Sequence, residues 1–365
     1  MTIVGFHLAF TSACGDLPDL SYVTDRLQIG TAFDEPICEG TLQQFDDHVD
    51  GVEQALAQQS NTDPIVVYWL DNVDQYCGEG RGGCFFPGTR ILFSTGSSIT
   101  HELVHAVLDS TAHTYFVEEG IAEIYSGVDV FYRPDPVDGG LADRLTLSRS
   151  AYRDGKLDYA SAAHFMRYVH QTRGEVAMRS LADVIAAGGS TKGITDTIER
   201  SFDSTIEEIG DQYFADAPSY YRGFSAAGVP TSTELWQGET IHLDCDDDAT
   251  RGPLGQGGGG LYQVRRVEVD RGGEATFAVD GDSDGWVTLF DPNRNNGIVT
   301  NWAMPDPTTD PNSVTLRAGE SQSVKLNPGN YLLMFGADAD DTEIEATLSM
   351  ALAPPVGPEG VPEAG

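Results

Sequence analysis

Apolar residues between positions 41 and 59 (Leu42, Phe45, Val49, Val52, Leu56) recur at helical spacing with polar residues between them, which predicts an amphipathic helix. The run 65–70 (IVVYWL) is short, apolar and rich in β-branched side chains and predicts a strand, as does 90–94 (RILFS). Ser97 and Ser98 carry hydroxyls suited to cap a helix over 99–108, and 118–126 predicts another helix. Across 158–216 the residues Phe165, Tyr168, Val169, Met178, Leu181, Ile185, Ile194, Ile198, Phe202, Ile206 and Ile209 fall on repeating helical faces. Gly188-Gly189 divides that stretch into successive helices.

The pattern changes near residue 229, where glycine, aspartate and threonine become frequent and alternation replaces helical spacing. Strands are predicted at 239–243, 262–269, 275–279, 286–290, 313–316, 323–326 and 331–335, with turn signals between them, the layout of a β-sandwich. The expected organisation is a signal-like segment over 1–20, an α+β domain over 21–228, an all-β sandwich over 229–352 and a Pro/Gly-rich disordered tail over 353–365.

Composition sharpens this picture. A chain of 365 residues can bury two cores, and 40% hydrophobic with 9% aromatic residues suits a globular protein. The net charge of -36, with Lys156, Lys192 and Lys325 as the only lysines, repels nucleic-acid phosphates and anionic membranes, so neither is expected as a partner. The same charge attracts cations, calcium and positively charged substrates among them. Of the five cysteines, Cys77 and Cys84 flank a glycine-rich stretch able to close a short disulfide, and none shows the paired spacing of a zinc ribbon. An oxidising, extracytoplasmic compartment is therefore expected, with Cys14 as the cysteine left over.

Residues 1–14 (MTIVGFHLAFTSAC) resemble the end of a bacterial lipoprotein signal peptide, in which Cys14 would be lipidated and form the one membrane attachment; a buried N-terminal strand is the alternative. No other uncharged apolar run is long enough to predict a transmembrane helix.

His101-Glu102-Leu103-Val104-His105 is an H-E-x-x-H motif. Residues four apart share a helical face, so both imidazoles can reach one metal ion. Glu102, beside the first ligand, is placed to take the proton of a water that zinc acidifies. The other positions of this helix, Ile99, Leu103, Val104, Val107 and Leu108, are apolar, so the histidines are expected to enter a buried environment that demands partners. The alternative is a pair of core histidines satisfied by hydrogen bonds.

A catalytic zinc needs a third protein ligand. The metzincin pattern fails, because Leu108 and Thr111 stand where it requires Gly and His; His113, two residues late, is a runner-up. The better source is 116–123 (FVEEGIAE). With the H-E-x-x-H motif it resembles the glutamate zincins (gluzincins), whose second motif reads aromatic-x-x-E-G-x-A. The resemblance covers about 99–125 and implies an α+β zincin-like metallopeptidase domain, with Glu119 as third zinc ligand, Phe116 in the aromatic place and Glu123 as a carboxylate that orients a zinc-bound histidine. Glu118 is the alternative ligand by register. Only 13 residues separate His105 from Glu119, a short connection for this group. A looser likeness runs on to about 216, and 328–331 (PGNY) resembles the accessory β-sandwich domains that follow secreted bacterial peptidases.

The resemblance implies hydrolysis of a peptide or protein substrate with Zn2+ as cofactor and Glu102 as general base. A further donor would face the oxyanion: Tyr159 is taken first, with His164 and Tyr125 as alternatives. The strand at 90–94 is expected to be an edge that pairs with an extended substrate. Ca2+ is a second candidate ion at 280–291, where Asp280, Asp282, Asp284 and Asp291 follow an EF-hand-like spacing, although strand-like flanks favour an acidic β-turn. Two rival functions remain open, a non-catalytic zinc-containing surface or binding protein and a zinc hydrolase acting on a non-peptide bond. The sequence sets no oligomeric state.

Overall fold

The computed structural model describes residues 17–58, 63–110, 114–126, 130–135, 140–153, 155–222, 234–236, 238–252, 260–290, 313–338 and 342–350. Cys14, His113, Asp291 and the 353–365 tail lie outside them. The chain divides into two units: Met1–Asp34, Phe45–Ser126 and Tyr132–Tyr220 form one, and Glu35–Gln44, Gly127–Phe131 and Tyr221–Gly365 form the other.

The first unit is built on a five-stranded sheet of β1 (Tyr22–Val23), β2 (Leu27–Thr31), β3 (Ile65–Trp69), β4 (Gly83–Phe86) and β5 (Ile91–Ser94), in the order β1-β2-β3-β5-β4. β2, β3 and β5 run parallel, while β1 and β4 are antiparallel to their neighbours. β3 buries Ile65, Val67 and Trp69 in alternation, as its β-branched sequence requires. Helix α1 (Glu39–Leu56) buries Phe45, Val49, Val52 and Leu56, the face marked by its apolar spacing. The single turn α2 (Asp74–Cys77) precedes β4.

Two expectations are corrected here. The strand at 90–94 exists as β5, but it lies between β3 and β4; the edge is β4, which the sequence hid inside the glycine-rich disulfide loop. Nor does Ser97 or Ser98 cap the next helix. A 3-10 turn at Gly96–Ser98 leads directly into α3 (Ile99–Leu108), and the Ser98 hydroxyl is turned against Gly82.

After α3 come α4 (Tyr115–Tyr125), β6 (Val130–Tyr132), α5 (Gly140–Leu145), α6 (Arg149–Arg153), α7 (Tyr159–Ala186, interrupted at Gly174), α8 (Thr191–Phe202), α9 (Ile206–Asp216) and β7 (Tyr220–Arg222). Side chains satisfy orphan N–H groups at three helix starts: Asp158 accepts from Ser161, Ser190 from Gly193, and Thr205 forms a capping box with Glu208. Phe165, Val169, Met178, Leu181, Ile185, Ile198 and Ile209 are buried as their spacing predicts. Helix α4 packs closely on α7 at Gly120, where a Cβ would lie 2.6 Å from the Ala162 carbonyl oxygen.

The second unit is two antiparallel-rich sheets. One holds β8 (Glu234–Leu235), β10 (Leu261–Val269), β12 (Trp286–Phe290), β13 (Ser313–Arg317) and β15 (Gly329–Ala337); the other holds β9 (Glu239–Leu243), β11 (Gly273–Gly281), β14 (Glu320–Leu326) and β16 (Thr342–Met350). Val267, Leu289 and Phe335 from the first meet Ile241, Phe277 and Ile344 from the second in one apolar core, which makes the pair sandwich-like. The acidic stretch 280–285 begins as the end of β11 and turns at 282–284, where the Asp282 carboxylate accepts from the Glu343 amide at 3.0 Å. Among the described residues it forms no group of three metal-competent side chains, so the calcium expectation gains nothing there.

Disulfides join Cys77 to Cys84 in the first unit and Cys38 to Cys245 in the second. They fit an oxidising, extracellular setting. No described helix is long and apolar enough to cross a membrane.

Candidate metal centre

On α3 the side chains of Ile99, Leu103, Val104, Ala106 and Leu108 are buried, which fixes the roll of the helix and leaves His101 and His105 one turn apart on a common face. Helix α4 is buried almost throughout, and its Glu119 faces the two imidazoles. Glu119 Oε2 lies 3.1 Å from His101 Nε2 and 3.1 Å from His105 Nε2, and the two nitrogens are 3.2 Å apart. Donors bonded to zinc at about 2.0–2.1 Å in a tetrahedron stand roughly 3.3 Å from one another. The three atoms therefore have the spacing and chemistry of a metal face, and His101, His105 and Glu119 form a group that could hold a metal ion. The side chains of His101 and His105 are 12% and 15% exposed, and that of Glu119 is 8% exposed, so the face is sheltered yet reachable.

The surrounding charges are coupled. Burial alone would lower the His101 imidazole, but hydrogen bonds to Glu119 and Glu123 raise it well above its ordinary value. His105 also rises, against burial, through the Glu119 charge. Burial would raise Glu119, yet the two imidazoles hold it far below the usual carboxylate range. A cation replacing those protons would meet the same field.

Glu123, one turn beyond Glu119, places Oε1 3.2 Å from His101 Nδ1, on the opposite side of the ring from the metal-facing nitrogen. Glu118 instead turns away: its Oε1 accepts from the amide and the hydroxyl of Thr114 at 3.0 and 2.7 Å, which closes the start of α4. Glu102 is buried and makes no side-chain hydrogen bond among the described residues; burial pushes its carboxyl up, partly offset by the two histidines. Its side chain lies over Gly83 of β4, where a Cβ would come 2.7 Å from Glu102 Cγ.

The three oxyanion candidates part company. His164 is buried between Tyr213, whose hydroxyl it meets at 2.8 Å, and the Pro218 carbonyl at 3.1 Å, so both ring nitrogens are used. Tyr125 is buried within the α4 packing. Tyr159 is at the rim, 38% exposed, with its ring centroid 6.3 Å from that of His101 and its hydroxyl 3.5 Å from that of Tyr152.

Two residues went unnoticed in the sequence. Tyr152 of α6 donates its hydroxyl to Glu119 Oε1 at 2.9 Å, and Arg81 Nη1 donates to the Tyr152 hydroxyl at 2.8 Å. Neither lies within reach of the H-E-x-x-H motif along the chain, and no local pattern marks them.

No protein-family model matches the chain, and no curated protein matches it. Among solved structures, the pre-peptidase C-terminal domain of a collagenase from Bacillus anthracis is similar at 14% identity and TM-score 0.21, over 33% of this chain and 99% of that one. The carbohydrate-binding module TmCBM61, in complex with β-1,4-galactotriose, is similar at 10% identity and TM-score 0.16, over 32% of this chain and 91% of that one. Likeness at this level carries no argument about activity.

Proposed function

We propose that this protein is a zinc-dependent peptidase of gluzincin type, with His101, His105 and Glu119 holding the ion in a zincin-like domain and Glu102 acting as general base. The observation that carries the reading is the convergence of three donor atoms at 3.1–3.2 Å from two helices, beside the Glu102 carboxylate, which has no hydrogen-bond partner among the described residues. A purely structural zinc site takes four protein ligands and has no use for that carboxylate. A bound zinc ion would polarise a scissile carbonyl and acidify water. Glu102 would accept the proton and pass it to the leaving amine. Glu123 would keep the His101 ring turned toward the ion. β4, at the edge of its sheet and in contact with Glu102 through Gly83, would pair with an extended peptide in place of β5. Tyr159, at the rim, remains the oxyanion donor in this reading.

Metal analysis of the purified protein, with a peptide-library digest by wild type and Glu102→Gln, tests the proposal. One zinc per chain in both forms, with cleavage by wild type alone, is the expected result. Zinc in both with cleavage by neither would leave a binding module and overturn the enzymatic reading.

A further inference from the structure

We infer that Tyr152, backed by Arg81, is a positioning residue that holds Glu119 to single-oxygen ligation of the metal. This rests on the metal reading above and goes beyond it, because neither residue belongs to the motifs that suggested the site. Glu119 divides its oxygens: Oε2 faces both imidazoles and Oε1 accepts the Tyr152 hydroxyl proton at 2.9 Å. A carboxylate free to rotate can offer both oxygens to a cation and so fill the position a substrate needs; one oxygen bound to a phenol cannot turn.

The phenol itself is held. Its ring stacks on Tyr115 of α4 with centroids 4.2 Å apart and planes 9° from parallel. The Arg81 guanidinium carbon lies 4.7 Å from the Tyr152 ring centroid, and Nη1 donates to the phenolic oxygen at 2.8 Å. That donation occupies a phenol lone pair and leaves its proton for Glu119. Arg81 is delivered by the loop that the Cys77–Cys84 disulfide closes, so the relay Arg81–Tyr152–Glu119 runs from a tethered loop to the metal face.

The test uses the full chain as wild type, Tyr152→Phe and Arg81→Met. Tyr152→Phe keeps the ring that stacks on Tyr115 and removes only the hydroxyl. Zinc affinity is read by competition with a chromophoric chelator, and ligand geometry by the visible absorption of the Co(II) form. Tyr152→Phe is expected to weaken zinc about 10–100-fold and to change the Co(II) bands. Arg81→Met is expected to weaken zinc less, by about threefold or more, and carries the test alone if Tyr152→Phe does not fold. Unchanged affinity with superimposable Co(II) spectra would overturn the relay while leaving the metal site standing. A wild-type chain that binds neither ion would overturn both.

Discussion

His48 on α1 donates Nε2–H to the carbonyl of Thr100, 2.9 Å away, and so ties α1 to the first turn of the helix that carries both candidate metal-binding histidines. The imidazole is buried, and burial lowers it from 6.5 to about 4. In the folded protein it is therefore neutral at neutral pH, whereas the unfolded chain protonates it near pH 6.5. The folded value is depressed, so this contribution is fully present above pH 6.5. It is lost as pH falls through 6.5 toward 4, by about 3 kcal/mol in all. Urea unfolding from pH 7 to pH 4 should show that loss in wild type and a shallower one in His48→Gln, which keeps a donor for Thr100 but does not titrate. Equal slopes would contradict it.

Gly120 sits where α4 meets α7. A Cβ there would lie 2.6 Å from both the Ala162 carbonyl oxygen and Met166 Cγ, and a backbone oxygen cannot step aside. Gly120→Ala should therefore push the helices apart and cost about 1–3 kcal/mol. Glu119 precedes this position, so zinc affinity should fall with stability; a variant as stable as wild type would show that the helices can separate freely.

Glu123 acts on His101 from behind, through Nδ1. Its side chain is only 18% exposed, so Glu123→Ala should lower stability modestly, while zinc affinity falls about 10–100-fold. Chelator competition at pH 7 measures this. An unchanged affinity would mean that Glu123 does not orient the His101 ring for the metal.

The contact between Gly83 and Glu102 separates base function from metal binding. A methyl group at Gly83 would stand 2.7 Å from Glu102 Cγ and 2.8 Å from Oε1, so Gly83→Ala should displace the carboxylate while leaving His101, His105 and Glu119 in place. If the enzymatic proposal holds, turnover should drop by about a hundredfold with zinc content unchanged. Equal loss of zinc and turnover would mean that β4 supports the whole site.

The sequence showed α3 and α4 plainly because two signals coincide there: apolar residues at helical spacing and ligand-type residues at offsets that one helix turn explains. The strands of the sandwich were visible wherever valine, leucine or aromatic residues alternate. β16 escaped because Ile344 and Leu348 are its only large apolar residues before Met350, with Glu343, Glu345 and Ala346 among them, and alanine and glutamate are poor strand formers. β4 has four residues, two of them Gly83 and Cys84, and pairs only because β5 lies beside it. The hydroxyls at Ser97 and Ser98 suggested a cap, yet an intervening 3-10 turn removed the need. Arg81 and Tyr152 reach Glu119 through tertiary packing alone, which no spacing rule anticipates.

The pairing of Cys38 with Cys245 was equally hidden, since the two are 207 residues apart. It explains why Glu35–Gln44 groups with the second unit: Cys38 N also donates to the Gly252 carbonyl at 3.2 Å, and the Thr41 hydroxyl meets the same carbonyl at 2.9 Å. Loop-closure entropy grows with the logarithm of loop length. Replacing Cys38 and Cys245 by serine should thus destabilise the second unit by about 5 kcal/mol, against under about 3 kcal/mol for the same change at Cys77 and Cys84 in the first. Non-reducing peptide mapping should recover a cross-linked Cys38–Cys245 pair, and denaturant unfolding of the two double variants should rank them in that order. The reverse ranking would mean that the hydrogen bonds at Gly252, and not the covalent link, hold the segment in place.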